Sequence, residues 1–91
     1  FSTYPNPFMQ GSSAVIAYYL DSPADVTIEI FDLMGNHLKT LKEKERRPAG
    51  AHENETWDGR DKNGRYLPAG TYIIKIKTDD SVSIRKITFI K

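Results

Sequence analysis

Apolar and polar residues alternate along most of this chain with a period of two, the spacing that places every second side chain on one face of a β-strand. In the run Ala14 to Leu20, Ile16, Tyr18 and Leu20 share one face and Val15, Ala17 and Tyr19 the other. Val26, Ile28 and Ile30 alternate in the same way with Thr27, Glu29 and Phe31, and Tyr72, Ile74 and Ile76 with Ile73, Lys75 and Lys77. Turn residues separate these runs at Gly11-Ser12-Ser13, Asp21 to Asp25, Asp32 to Asn36 and Asp79-Asp80-Ser81. Leu38 and Leu41 predict a short strand after the break at Gly35-Asn36. No stretch of useful length carries the helical period.

Three segments are less regular. Tyr4-Pro5-Asn6-Pro7-Phe8 holds two prolines, which fix φ and push the residues before them extended, so an entry segment or short edge strand is expected there. Lys42 to Gly50 is charge-rich and closed by Pro48 and Gly50, and the pattern predicts a solvated loop. From Ala51 to Trp57, Glu53 and Glu55 fall on the parity of Trp57, and two carboxylates cannot enter a core without partners. Either this strand becomes buried only at Trp57 or a bulge changes its parity. In the last strand Val82 and Ile84 are even, whereas Ile87 and Phe89 are odd, which predicts a bulge near Arg85-Lys86.

Trp57 to Tyr72 organises the rest. The segment leaves a strand at a large apolar ring, passes two glycine turns and a proline, and enters the most hydrophobic strand. Leu67-Pro68-Ala69-Gly70-Thr71-Tyr72 predicts a tyrosine corner, in which the Tyr72 hydroxyl anchors the preceding loop. About seven short strands with regular turn signals call for an all-β fold, an antiparallel β-sandwich, because each strand must bury one face against a second sheet.

A chain of 91 residues forms a single domain with one modest core. Thirteen basic and twelve acidic residues leave a net charge of +1, which supplies no electrostatic attraction for nucleic acid or an anionic membrane. With no cysteine, neither a disulfide framework nor a thiolate metal site can form. No apolar run approaches the ~20 residues of a membrane-spanning helix, so no membrane insertion is expected. The start at Phe1 without a methionine predicts a piece of a longer protein.

Tyr4-Pro5-Asn6-Pro7-Phe8, Asp32-Leu33-Met34-Gly35, Trp57-Asp58-Gly59, Asp61, Gly64, Leu67-Pro68-Ala69-Gly70 and Tyr72, at this spacing, resemble the FlgD-type Ig-like domain. That family is named for the flagellar hook-capping protein and is similar to C-terminal sorting domains of the type IX secretion system. The resemblance covers nearly the whole chain. It implies an Ig-like sandwich, with residues 1–91 forming one domain at the C-terminus of a larger secreted or cell-surface bacterial protein. It implies a protein partner, either secretion or surface machinery or the parent's other domains, and a role in sorting, anchoring or spacing. A binding module for glycan or for a structural protein, including a flagellar hook-assembly scaffold, is the alternative. The family has no catalytic residues to carry over.

Candidate sites are few. Asp58, Asp61, Asn63 and Gly64 place oxygen ligands beside a glycine, yet only Asp61-x-Asn63-Gly64 fits a calcium loop, and no glutamate follows to complete it. Hydrogen-bonded turn residues are the better reading, and no metal or cofactor is expected. His37 and His52 have no further ligand at a metal-binding spacing. No serine or threonine sits in a nucleophile-elbow sequence, so no enzyme is expected. Tyr18, Trp57, Tyr72 and Phe89 are expected in the core. Tyr19, Phe31 and Tyr66 are expected to be partly exposed, and they are the residues on which carbohydrate could stack.

Overall fold

In the computed structural model, which describes residues 1–91, the alternating runs become eight strands and no helix. These are β1 (Ser2–Tyr4), β2 (Phe8–Met9), β3 (Ala14–Leu20), β4 (Ala24–Phe31), β5 (His37–Arg47), β6 (Gly50–Trp57), β7 (Gly70–Lys77) and β8 (Val82–Ile90). They form two sheets packed as a sandwich. The smaller has the order β1-β3-β6, and the larger β2-β8-β7-β4-β5. All pairings are antiparallel except that of the two-residue β2, which runs parallel to β8.

The core lies between the sheets and uses the parities read from the sequence. Ile16, Val26, Ile28, Ile30, Ile74 and Ile87 are completely or almost completely buried. Trp57 closes one end of this layer against Phe8, with ring centroids 5.5 Å apart, and meets Tyr72 edge-on at 5.6 Å. Phe89 joins the same cluster through Phe8 at 5.0 Å. Trp57 belongs to β6 and Tyr72 to β7, so the pair spans the interface between the sheets.

The suspected bulge in β6 is present. Ile16 stands opposite Glu55 but Tyr18 opposite His52, so the register slips by one residue between them. The slip turns both His52 and Glu55 to the inner side, whereas Glu53 stays exposed. The bulge reading of this segment holds, and the reading in which the strand becomes buried only at Trp57 fails, because Glu55 is already buried.

Two expectations fail. Lys42 to Gly50 is not a solvated loop, because β5 continues through Arg47 and pairs with β4 as far as Ala24↔Arg47. As an edge strand, β5 has one neighbour and can send charged side chains into water while its backbone stays paired, so the charge run did not need to leave the sheet. Pro48 then ends it. Nor is there a bulge near Arg85-Lys86. The β7–β8 register is unbroken from Gly70↔Phe89 to Lys77↔Val82. Val82 and Ile84 therefore lie on the outer face, 58% and 55% exposed. Two smaller differences concern boundaries. Ala24 and Asp25 belong to β4 rather than to the turn, and the eighth strand is the short β2.

Candidate interaction surface

The connector from Trp57 to Tyr72 spends its polar groups on its own backbone. The Trp57 indole N–H donates to the Arg60 carbonyl at 2.9 Å. Asp58 Oδ1 accepts the Arg60 N–H at 3.1 Å, and Asp61 Oδ1 accepts the N–H groups of Asn63 and Arg65 at 2.9 and 3.1 Å. These are the Asx turns expected of such residues. Gly59 has φ +88°, and a Cβ there would lie 2.6 Å from Phe89 Cε1. The chain must therefore pass the Phe89 ring as bare backbone. The Tyr72 hydroxyl donates to the Pro68 carbonyl, completing the tyrosine corner. Burial pushes the Tyr72 phenol above its ordinary value, and the Asp32 carboxylate adds to the effect.

The other candidate residues are scattered. His37 starts β5, with Nε2 2.8 Å from Thr40 Oγ1 and 3.4 Å from Glu29. His52 is on the other sheet, stacked on Tyr18 at 5.1 Å, with its Nε2 2.8 Å from the Pro48 carbonyl. No three histidine, aspartate or glutamate side chains converge anywhere in the chain. Tyr19 projects from the outer side of the small sheet, and Phe31 lies on the outer side of the large one, with Lys75 Nζ 5.3 Å from its ring centre. Tyr66 stacks on Phe89 beneath Arg60, whose guanidinium is 4.4 Å from its ring. These three rings do not share a face.

Sequence reasoning missed an ionic seam joining the two sheets along one side. Glu55 of β6 lies 3.3 Å from Arg47 and 3.5 Å from Lys42, both of β5. Glu45 bridges the same two cations at 2.9 and 3.2 Å. The signal was available: a glutamate on the parity of Trp57 needs a cation, and the charge run supplies two. The hydroxyl of Tyr18 lies buried near this seam without a hydrogen-bond partner. Burial raises its pKa, with the Arg47 guanidinium opposing the shift.

Residues 3–81 match the model of the FlgD Ig-like domain. The chain belongs to that family. Its fold is similar to that of FlgD from P. aeruginosa, with a TM-score of 0.67 and 22% identity over 86% of this chain and 59% of that one. It is also similar to PorZ, described as an essential bacterial surface component of the type-IX secretion system of Porphyromonas gingivalis. There the TM-score is 0.62 and the identity 17%, over 99% of this chain and 11% of PorZ. The chain thus spans about three fifths of the one protein and about a tenth of the other. No curated protein matches it.

Beyond charge, this FlgD Ig-like domain exposes Tyr4, Tyr19 and the neighbouring Met9 and Ile90, and further apolar side chains in two places. At the β4–β5 tip, Asp32 Oδ1 accepts the N–H groups of Met34 and Asn36, both at 2.9 Å, and Oδ2 accepts the Asn36 side-chain amide at 2.9 Å. The Asn36 side-chain bond first, and these backbone bonds with it, hold the Asp32 carboxyl below its ordinary value. The turn so fixed leaves Leu33 57% and Met34 89% exposed. The second place is the outer side of β8, at Val82 and Ile84. No helix of the domain is long and apolar enough to cross a membrane.

Proposed function

We propose that this domain is a non-catalytic module at the C-terminal end of a larger secreted or cell-surface bacterial protein, where it sorts, anchors or spaces its parent through contacts with other proteins. The observation that carries this reading is the dispersal of reactive groups. The two histidines sit on different sheets, each already partnered, and the acidic residues of the connector are bonded to their own loop. A general base, a nucleophile and an orienting group cannot be assembled from such positions. The likeness to part of PorZ supports a surface location, and the likeness to FlgD supports the second reading, a scaffold domain that holds a structural protein. A glycan platform has less support, since Tyr19, Phe31 and Tyr66 are spread over separate faces.

The test is to express the parent with and without residues 1–91. Its specific activity is then measured together with its distribution among medium, envelope and cytoplasm. Retained activity with altered location or retention is expected. Collapsed turnover of correctly folded parent with unchanged location would sink the proposal, and lost adhesion to polysaccharide alone would replace it with glycan binding.

A further inference from the structure

A sandwich of two open sheets has four edges, and three of them here are blunted. β1 has three residues and is followed by Pro5 and Pro7. β5 carries the Lys42 to Arg47 charge run and three breaks of register against β4. β6 is bulged and presents Glu53 and Asn54. Short strands, charges and bulges are the devices by which proteins keep sheet edges from pairing with other chains.

The fourth edge is different. β2 covers β8 only at Phe89 and Ile90. Above it, the Asn6 side chain takes the place of a strand, accepting the Thr88 N–H at 3.0 Å and donating to the Lys86 carbonyl at 3.2 Å. The Ile90 carbonyl likewise accepts from Gln10 N–H at 2.8 Å. Even-numbered residues of β8 therefore direct their backbone groups away from β7, as the unbroken antiparallel register requires. Beyond Asn6 this leaves the Val82 and Ile84 backbone groups and the Lys86 N–H without a strand partner. The Arg85 side chain donates to the Ile84 carbonyl at 2.8 Å and to the Phe1 carbonyl at 3.0 Å, with its guanidinium 5.1 Å from the Phe1 ring. This free edge is regular, and its outer side chains, Val82 and Ile84, are apolar and exposed.

We infer that the β8 edge from Val82 to Lys86 is a β-augmentation site for an extended segment of another protein that carries apolar and acidic side chains together on one of its two faces. Main-chain bonds hold such a strand end to end with β2, and its apolar side chains lie against Val82 and Ile84. The acidic preference follows from charge. Lys75 and Lys77 are the cross-strand partners of Ile84 and Val82 on the same face, Lys86 follows on that face, and none of these three is in an ion pair, whereas Arg85 is of the other parity and is held by Phe1. A second copy is disfavoured on the same ground, because β8 paired with itself about Ile84 gathers Arg85 and Lys86 of both copies into one short ribbon. The inference rests on the reading of the domain as a protein-binding module and names its partner class.

The probe is a capped Val-Thr-Glu-Thr-Val-Thr-Glu peptide, which puts valine and glutamate on one face, titrated into the isotope-labelled 91-residue chain and followed by amide shifts and hydrogen exchange. Saturable binding is expected, with new protection at the Ile84 and Lys86 amides. The lysine counterpart, and a peptide N-methylated on alternate residues, should bind at least about tenfold more weakly, equivalent to ~1.4 kcal/mol. Ile84→Pro should have the same effect while leaving the β7–β8 ladder intact, since the Ile84 N–H does not face β7. If that variant does not fold, the mapping on the unaltered chain still decides. No binding, protection at another surface, equal binding of the N-methylated peptide, or concentration-dependent self-association through β8 would each overturn the inference. None of these results bears on where the parent is located, and an altered location leaves the peptide result untouched, so the two proposals fail separately.

Discussion

Single residues in this domain are constrained by what passes close to them more than by their chemistry. Gly59 and Gly64 both have positive φ, +88° and +80°, and look equivalent in the sequence. At Gly64 a Cβ would meet nothing within 4 Å, whereas at Gly59 it would lie inside the contact distance of a ring that is fully buried. Gly64→Ala should therefore cost only the left-handed backbone term, about 1–2 kcal/mol. Gly59→Ala adds overpacking against Phe89, a further ~1–3 kcal/mol. Urea denaturation of the two variants separates the terms, and equal losses would show that the close approach to Phe89 is unimportant. The positive φ was legible from the glycine-and-aspartate pattern. The reason one glycine matters more was not, because Phe89 lies thirty residues further along the chain.

At the scale of elements, β5 is the one that local sequence misjudged. Its charge run reads as a loop because the edge position that tolerates it is a property of the sheet. The strand stays paired past a bulge at which Lys44 takes φ +45° and donates its N–H to Thr27 Oγ1 at 3.1 Å. A left-handed residue inside a strand makes a distinct prediction. Lys44→Gly should leave stability unchanged or slightly improved, while Lys44→Ile should lose about 1–2 kcal/mol, since a β-branched side chain fits that conformation worst. Thermal melts of the two variants are sufficient to check this. A solvated loop would accept both changes alike. The last strand differs in the converse way, because its apolar residues do not all face one side. The even parity of Val82 and Ile84 predicts a bulge before Ile87, whereas the unbroken register of β8 places both on the outer face.

For the whole molecule, the two sheets are joined by the apolar layer, by the Glu55 seam and by two buried phenols. Burial raises the pKa of both Tyr18 and Tyr72 above the ordinary 10.0. The native state thus holds their protons more tightly than the unfolded chain does, and at high pH it binds more protons than the unfolded chain. Stability from this source is fully present below pH 10 and is lost as the pH rises through the raised values. Denaturant midpoints should accordingly be flat on approaching pH 10 and fall above it. Replacing both tyrosines by phenylalanine should flatten that alkaline fall, at the expense of the Tyr72 corner bond. An unchanged alkaline limb in the double variant would assign the loss to other groups.

The sequence by itself determined the fold class, the core parities of β3, β4 and β7, the tyrosine corner and the family. All of these depend on short-range periodicity, on fixed spacing within a segment or, for the family, on the spacing of short motifs along the chain. Tertiary structure alone decided which strands are edges, and with that the fate of the charged and apolar outliers. Glu55 is buried because a slip in β6 faces it toward cations on a strand of the other sheet. Lys42 to Arg47 stay in a strand because β5 has a free side. Val82 and Ile84 meet solvent because the unbroken β7–β8 register places them on the outer face of the large sheet. Alternation along a strand specifies a face, but whether that face or edge has a neighbour depends on how distant segments pair.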